Sequence, residues 1–481
     1  MKESLMTKSK KNITTGSANS RPSVIAVLGH VDHGKTTLLD TIRKTNVVSK
    51  EAGGITQGIG ASMITLKDGK RITFIDTPGH AVFSAMRLRG AKVADIAILV
   101  VAADDGVKPQ TKEALEMIKN AGVPFVVALT KTDLPSADIE SAKLQLEKEG
   151  ILFEGRGGDV PVVAISAKKE EGIGALLDTI SLLAEVVGLK GSVNDPLEAV
   201  VIETSKDNRG LLVSAVVKSG KLAVGQTIYT EGIETKVRGL FDFQLKSVKE
   251  ILPGEPVQIL GFDQLPSVGS VISSTKQESS GVALGFQATV RDRFQKEGLV
   301  ISFKAQTKGS LEALTASLPE GVTVTEASVG DVSENDVLMA KTSGARIFAF
   351  ESKSSPSIIK LADAEGVKIE KFDIIYKLLD RIGEIIKGGE TEILGKAEII
   401  AKFPFNNKKI AGCKVVNGKI KKNDNLILMR GEKELGKIKA SSMKKQKLEV
   451  KEVGVGEEFG VLFDPQLDFE VGDVVVSTAN G

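Results

Sequence analysis

Gly29-His30-Val31-Asp32-His33-Gly34-Lys35-Thr36 sets two glycines around four residues and follows them with a lysine and a hydroxyl. A run of this kind turns backbone N–H groups inward around an anion, and the helix start that follows adds positive potential. Lys35 is expected to reach β- and γ-phosphates and the Thr36 hydroxyl to ligate Mg²⁺, with Thr37 continuing the cradle. Asp76-Thr77-Pro78-Gly79-His80 would supply a carboxylate for the Mg²⁺ shell and the Gly79 N–H for the γ-phosphate. In Thr130-Lys131-Thr132-Asp133, the aspartate can accept two hydrogen bonds from a guanine ring edge and Lys131 can lie over the base. Ser166-Ala167-Lys168 would close the base pocket. All three histidines of the chain, His30, His33 and His80, fall in the first two motifs. His80 directly follows Gly79, where a side chain could orient an attacking water, whereas His30 and His33 are expected to shape the loop.

These side chains need strand ends and loops to carry them. Residues 23–28 (Ser-Val-Ile-Ala-Val-Leu) read as a buried strand running into the glycine loop, and Thr37–Ile42 has helical spacing. Strands are expected at 71–75, 95–101, 125–129 and 162–165, with helices near 109–121 and 172–187. The alternation predicts a parallel, doubly wound α/β sheet with its ligand at the strand C-termini.

Composition narrows the class without choosing a partner. The chain has 481 residues, 41% hydrophobic and 26% charged, with net charge +2. That length predicts several domains, and the near-neutral balance requires any nucleic-acid surface to be local. The single cysteine, Cys413, excludes an internal disulfide and argues against cysteine-held zinc. No apolar run reaches the roughly 18 residues of a membrane span. Residues 1–20 are polar and mildly basic, resembling neither a signal nor a transit peptide, so a flexible tail and a bacterial cytoplasmic location are expected.

GHVDHGKT at 29–36 with DTPGH at 76–80 resembles the translational GTPases. Glu51-Ala52-Gly53-Gly54-Ile55-Thr56-Gln57-Gly58-Ile59-Gly60-Ala61 is similar to the first switch of the bacterial translation initiation factor two family. That resemblance implies GTP and GDP as ligands, Thr56 on Mg²⁺ and the γ-phosphate, and Val31 and Ile55 as an apolar gate beside His80, although both could equally be core residues. Two positions depart from the family pattern: Thr130 stands where asparagine is usual, and Gly58 where histidine is frequent.

Beyond Asn194-Asp195-Pro196, short strands with turn signals predict a β-barrel to about 275, and a second segment from about 394 to 478 echoes it. Ser219-Gly220-Lys221-Leu222 parallels Asn417-Gly418-Lys419-Ile420, which suggests an internal duplication. Between them lie a compact α/β unit and a helix bearing Ile374, Ile375, Leu378, Leu379, Ile382, Ile385 and Ile386, ended by Gly388-Gly389. The expected organisation is a tail at 1–20, a P-loop GTPase domain at 21–190, a β-barrel at 194–277, an α/β domain at 285–370, a connecting helix at 371–390 and a C-terminal β-barrel at 391–481. This order, with Lys308–Leu314, Ser328–Val337 and Ile410–Cys413, again resembles initiation factor two, without the long N-terminal extension of many members.

From Lys419 to Lys451 there are 11 Lys/Arg and 4 Asp/Glu, a local excess of +7 that is either a solvated hairpin or an RNA-facing patch. The resemblance implies that the terminal barrel holds the formyl-methionyl end of initiator tRNA, with Cys413, Lys444, Lys445, Gln446, Glu458, Phe459 and Gly460 at the pocket positions. Gln446 and Phe459 depart from the common pattern there, and Cys413 could equally be a core residue. The resemblance further implies the small and large ribosomal subunits and other initiation factors as partners, and a monomer off the ribosome. With no arginine finger identifiable, hydrolysis without the ribosome is expected to be slow. An elongation-type GTPase carrying another aminoacyl-tRNA, and a ribosome-binding clamp without useful turnover, are the alternatives.

Overall fold

The computed structural model describes residues 21–45, 56–276, 298–388, 393–405, 408–431, 433–446 and 448–478. Ile55, the rest of the switch before it, the tail at 1–20 and residues 285–297 of the expected α/β domain lie outside them. The chain forms two compact units, Met1–Leu379 and Asp380–Gly481.

The first unit begins with six strands: β1 (Ser23–Gly29), β2 (Gly60–Thr65), β3 (Arg71–Asp76), β4 (Ile96–Ala102), β5 (Phe125–Thr130) and β6 (Val162–Ala164). Their order is β2-β3-β1-β4-β5-β6. Helices α1 (Lys35–Arg43), α2 (Ser84–Val93), α3 (Pro109–Ala121), α4 (Ile139–Lys148) and α5 (Ile173–Val187) provide the connections. β1 and β4 are buried along their whole length, as the uninterrupted apolar runs demand of strands covered on both faces. One feature departs from the all-parallel expectation: β2 pairs antiparallel to β3, joined by a short turn at Lys67-Asp68-Gly69. An antiparallel neighbour needs only such a turn, whereas a parallel one needs a crossover.

The two β-rich segments follow one pairing scheme. In the first, the hairpin Glu198–Asp207/Gly210–Ser219 is flanked by Val271–Ser273 on one strand and Pro256–Leu260 on the other. In the second, Ile393–Phe405/Lys408–Lys421 is flanked likewise by Val474–Thr478 and Glu458–Asp464. The hairpin Thr227–Thr230/Ile233–Lys236 corresponds to Asn425–Arg430/Lys433–Lys445. The first segment breaks its strand between Lys236 and Gly239, so one chain section serves both ends of an eight-stranded sheet. In the second segment the same strand runs on, and the sheet closes because Ile393–Phe405 and Lys408–Lys421 also pair. Gly220 (φ 68°) and Gly418 (φ 67°) occupy equivalent points. A side chain at Gly220 would meet the Leu197 backbone at 2.7 Å, and one at Gly418 would meet Gly395 Cα at 2.8 Å, so both positions exclude a Cβ.

Four parallel strands, in the order Val322–Val329, Leu299–Ala305, Arg346–Phe350, Ile369–Phe372, form the α/β unit with helices Lys308–Ala316, Glu334–Ser343 and Pro356–Ala364. Within the first compact unit the parts are tied by specific contacts. Thr73 Oγ1 donates to Gly254 O at 2.6 Å, Arg71 pairs with Glu255, Arg89 pairs with Glu312, and Gly309 N donates to the buried Glu203 at 3.1 Å. The helix after the α/β unit is Ile375–Gly388, with Ile375, Leu378, Ile382 and Ile385 buried. Its expected end at Gly389 lies outside the described residues. Among the described residues, no helix is long and apolar enough to cross a membrane.

Candidate nucleotide site

At the C-terminal ends of β1, β3 and β5 the loops enclose a cleft of about 380 Å³. Val31, Asp32, Gly34, Lys35, Thr36, Thr37, Thr56, Gly79, His80, Thr130, Lys131, Asp133, Ala167 and Lys168 all line it. Sequence positions up to 137 apart thus converge on one cavity, because parallel strands deliver every successive loop to the same edge. Gly29, His30, His33, Asp76 and Ser166 stand behind this lining rather than in it.

The loop wraps its own lysine. Lys35 is 6% exposed, and its Nζ donates to His30 O at 2.5 Å. Burial pulls its ammonium down to about 8, with Asp76 opposing and Arg87 adding to the fall. A Cβ at Gly79 would push against Lys35 Nζ and stand 3.1 Å from Val31 N, so glycine leaves the lysine its place. The Thr36 and Thr56 hydroxyl oxygens lie 2.8 Å apart. That is the length of an O–H···O hydrogen bond between the two hydroxyls, which sets both oxygens side by side at the cleft, where they would also suit adjacent ligands of one small hard cation. Asp76, at 5% exposure, ends β3.

The base end is built differently from its motif. Thr130 Oγ1 donates to His33 O at 2.6 Å and is 2% exposed. Its hydroxyl therefore ties β5 to the phosphate loop and is spent on the backbone. Asp133 accepts from Ser166 Oγ at 2.8 Å, a bond that holds its carboxyl below the usual range and fixes its orientation. Lys131 adopts φ 59° at the sharp exit from β5.

Burial lowers all three histidines, that of His33 to about 4, so the imidazoles are neutral near pH 7. The His30 and His33 rings meet edge to face with centroids 4.9 Å apart. They offer ligand atoms within 4.8 Å of Asp105, but Lys108 Nζ already lies 2.6 Å from that carboxylate and closes the cluster as an ion pair.

In the second unit, six of the seven expected tRNA-pocket residues fall on three neighbouring strands, and Gln446 sits in the turn that follows one of them. Cys413 is paired with Phe459, Gly412 with Gly460 and Lys414 with Glu458, while Lys444 is paired with Gly460 from the other side. Lys444, Gln446 and Glu458 are exposed, and Lys445 is tied to Glu457 at 2.6 Å. Cys413 and Phe459 lie beneath this face, and for Cys413 this is the core alternative that the sequence left open. They are 0% and 4% exposed and belong to the barrel core, because both fall on the inward phase of their strands. Burial pushes the Cys413 thiol up to about 12.

Three family models match the chain: the Elongation factor Tu GTP binding domain over residues 21–185, Elongation factor G domain 2 over 196–275, and Translation-initiation factor 2 over 274–383. A Translation initiation factor IF-2 from Dehalococcoides mccartyi (strain CBDB1) is 39% identical across 95% of this chain and 82% of its own length. The chain belongs to the translation initiation factor IF-2 family. The IF-2 of Aquifex aeolicus (strain VF5) is 38% identical over 95% of this chain, which spans 60% of that protein. A crystal structure of GDP-bound aIF5B from Aeropyrum pernix is 31% identical, with TM-score 0.44, covering 95% of this chain and 92% of that one. An IF-2 family chain is a translational GTPase, and a guanine nucleotide is the ligand for which its cleft is formed.

Several residues around the nucleotide site lie outside the motifs. Gln110 Oε1, at the start of α3, accepts from Val31 N at 3.1 Å and so braces the loop. Arg87, fully buried on α2, donates to Pro78 O at 3.2 Å and to His80 O, and its other face pairs with Glu113 at 2.8 Å. Only the position of Arg87 on a helix directly after the aspartate-glycine loop could have hinted at this. Its charge would otherwise read as surface.

Proposed function

We propose that this chain is a ribosome-stimulated GTPase of translation initiation that holds Mg²⁺·GTP in the cleft and initiator tRNA on the terminal barrel. The observation that carries the first half is the 2.8 Å approach of the Thr36 and Thr56 hydroxyls within a cavity also lined by Lys35, Gly79 and His80. Thr36, Thr56 and Asp76 would hold Mg²⁺, which supplies charge neutralisation between the β- and γ-phosphates. Lys35 and the loop N–H groups bind the phosphate oxygens. Asp133, oriented by Ser166, accepts from the guanine edge, with Lys131, Ala167 and Lys168 around the base. His80, a neutral imidazole, accepts a hydrogen bond from the attacking water and orients it toward the γ-phosphate. Val31 lies against the same segment and would be one side of an apolar gate, with Ile55 as the other.

On the barrel, exposed Lys444, Gln446 and Glu458 with Gly460 would form the contact surface for the formylated acceptor end, and Cys413 and Phe459 would shape it from beneath. Large-subunit joining on the small subunit, alongside other initiation factors, is the setting in which hydrolysis would be triggered, in a cytoplasmic compartment.

Single-turnover hydrolysis with and without ribosomes tests the enzyme. Acceleration of at least two orders of magnitude by ribosomes, abolished in His80→Ala, is expected, and fast turnover by the free protein would overturn it. Filter binding of the full chain to formyl-methionyl initiator tRNA, against its unformylated and elongator counterparts, tests the barrel. Equal binding of all three would remove tRNA selection from the function.

A further inference from the structure

The first turn of the helix Ile375–Gly388 touches both segments that face the γ-phosphate position. Gln57 directly follows Thr56 and is 4% exposed. Its Nε2 donates to Asp373 O at 2.7 Å, and its Oε1 accepts from Ile375 N at 3.1 Å. The side-chain amide therefore substitutes for a backbone partner at the helix start and locks the turn to the strand entry at 56–59. One residue further on, the Tyr376 ring meets the His80 ring edge to face, with centroids 4.8 Å apart and planes at 68°. Arg87 meanwhile holds the His80 carbonyl. The backbone of His80 is thus fixed by α2, and its imidazole by the helix.

We propose that Tyr376 is a positioning residue for His80, restricting the imidazole to the orientation in which it lines the cleft. This rests on the reading of His80 as the residue that orients the attacking water. A side chain following glycine in a loop has free χ rotation unless something packs on it. An aromatic edge contact is worth about 0.5–1.5 kcal/mol, so its loss costs roughly two- to tenfold in the population of the productive rotamer. The helix turn, clamped by Gln57, keeps Tyr376 in register with the switch.

The test is ribosome-stimulated single-turnover GTP hydrolysis by the full chain as wild type, Tyr376→Ala, Tyr376→Phe, His80→Ala and the His80→Ala/Tyr376→Ala double variant. Fluorescent GDP affinity serves as the folding control. Tyr376→Ala should slow hydrolysis roughly fivefold with GDP affinity unchanged. Tyr376→Phe, which keeps the ring, should restore the rate, and Tyr376→Ala should have no further effect in the His80→Ala background. A wild-type rate for Tyr376→Ala, or an equal loss in both backgrounds, would overturn the proposal while leaving His80 as the catalytic group. A wild type that His80→Ala does not slow would overturn the functional reading itself, and this proposal with it.

Discussion

At the scale of single residues, Lys35 and Asp133 give the sharpest tests. The free protein holds Lys35 at about 8 through burial. A bound polyphosphate favours the charged form and raises that value, so binding takes up a proton wherever the free lysine is partly neutral. GTP affinity should therefore be constant below about pH 8 and fall as pH rises above it, by up to tenfold per unit. Calorimetry at pH 8.5 in two buffers of different ionisation enthalpy should show net proton uptake, which Lys35→Arg, having no titration in this range, should lose. The folding contribution runs the other way. The folded value lies below the ordinary 10.5, so the folded state sheds its proton first and this residue's share of stability improves between pH 8 and 10.5. At the base end, Asp133→Asn replaces two acceptors by one acceptor and one donor. Guanine, which presents two N–H donors, should then bind more weakly, by about tenfold or more. Xanthine, which presents a carbonyl beside an N–H, should bind more tightly, and competition binding of the two diphosphates measures both shifts.

At the scale of elements, the buried arginine on α2 turns a loop into a rigid wall. Arg87→Ala would leave the carbonyls of Pro78 and His80 without their donor and Glu113 without its partner, a loss of about 3 kcal/mol. The urea midpoint should fall at constant slope, and Arg87→Lys should recover little because a single ammonium cannot serve both faces of the fork. An unchanged midpoint would mean that the loop is held by other contacts. This element also shows where sequence reading stops. The phosphate loop, Asp76–His80 and Asp133 are legible because their chemistry is local: the spacing of glycines, a lysine and a carboxylate along a strand end fixes their geometry. Thr130 is half legible. Its place in the motif puts it at the base, but its hydroxyl bonds the His33 carbonyl, a contact 97 residues away that no spacing encodes. The family resemblance puts Cys413 and Phe459 at a pocket and leaves Cys413 open as a core residue, and strand phase turns both side chains into the barrel core. The antiparallel strand Gly60–Thr65 has a weak signature, because it begins within the switch segment and is only partly buried.

At the scale of the whole molecule, the two compact units have separate cores. The buried residues around Cys413, Phe459 and Phe463 are all drawn from the second unit, whereas the nucleotide cleft is drawn entirely from the first. A ligand stabilises only the unit whose folded state binds it. GDP at a hundred times its dissociation constant should therefore raise the stability of the first unit by about 2.7 kcal/mol and leave the barrel where it was. The chain carries its own reporter for this. Cys413 is the only cysteine, is 0% exposed, and has its thiol pushed up to about 12, so it reacts with a maleimide only when the barrel opens. Calorimetry with and without GDP should show one transition that moves and one that does not, and thiol labelling should accelerate at the stationary one. If labelling moved with GDP instead, opening of the barrel would be coupled to nucleotide, and the separate cores would be parts of one cooperative unit.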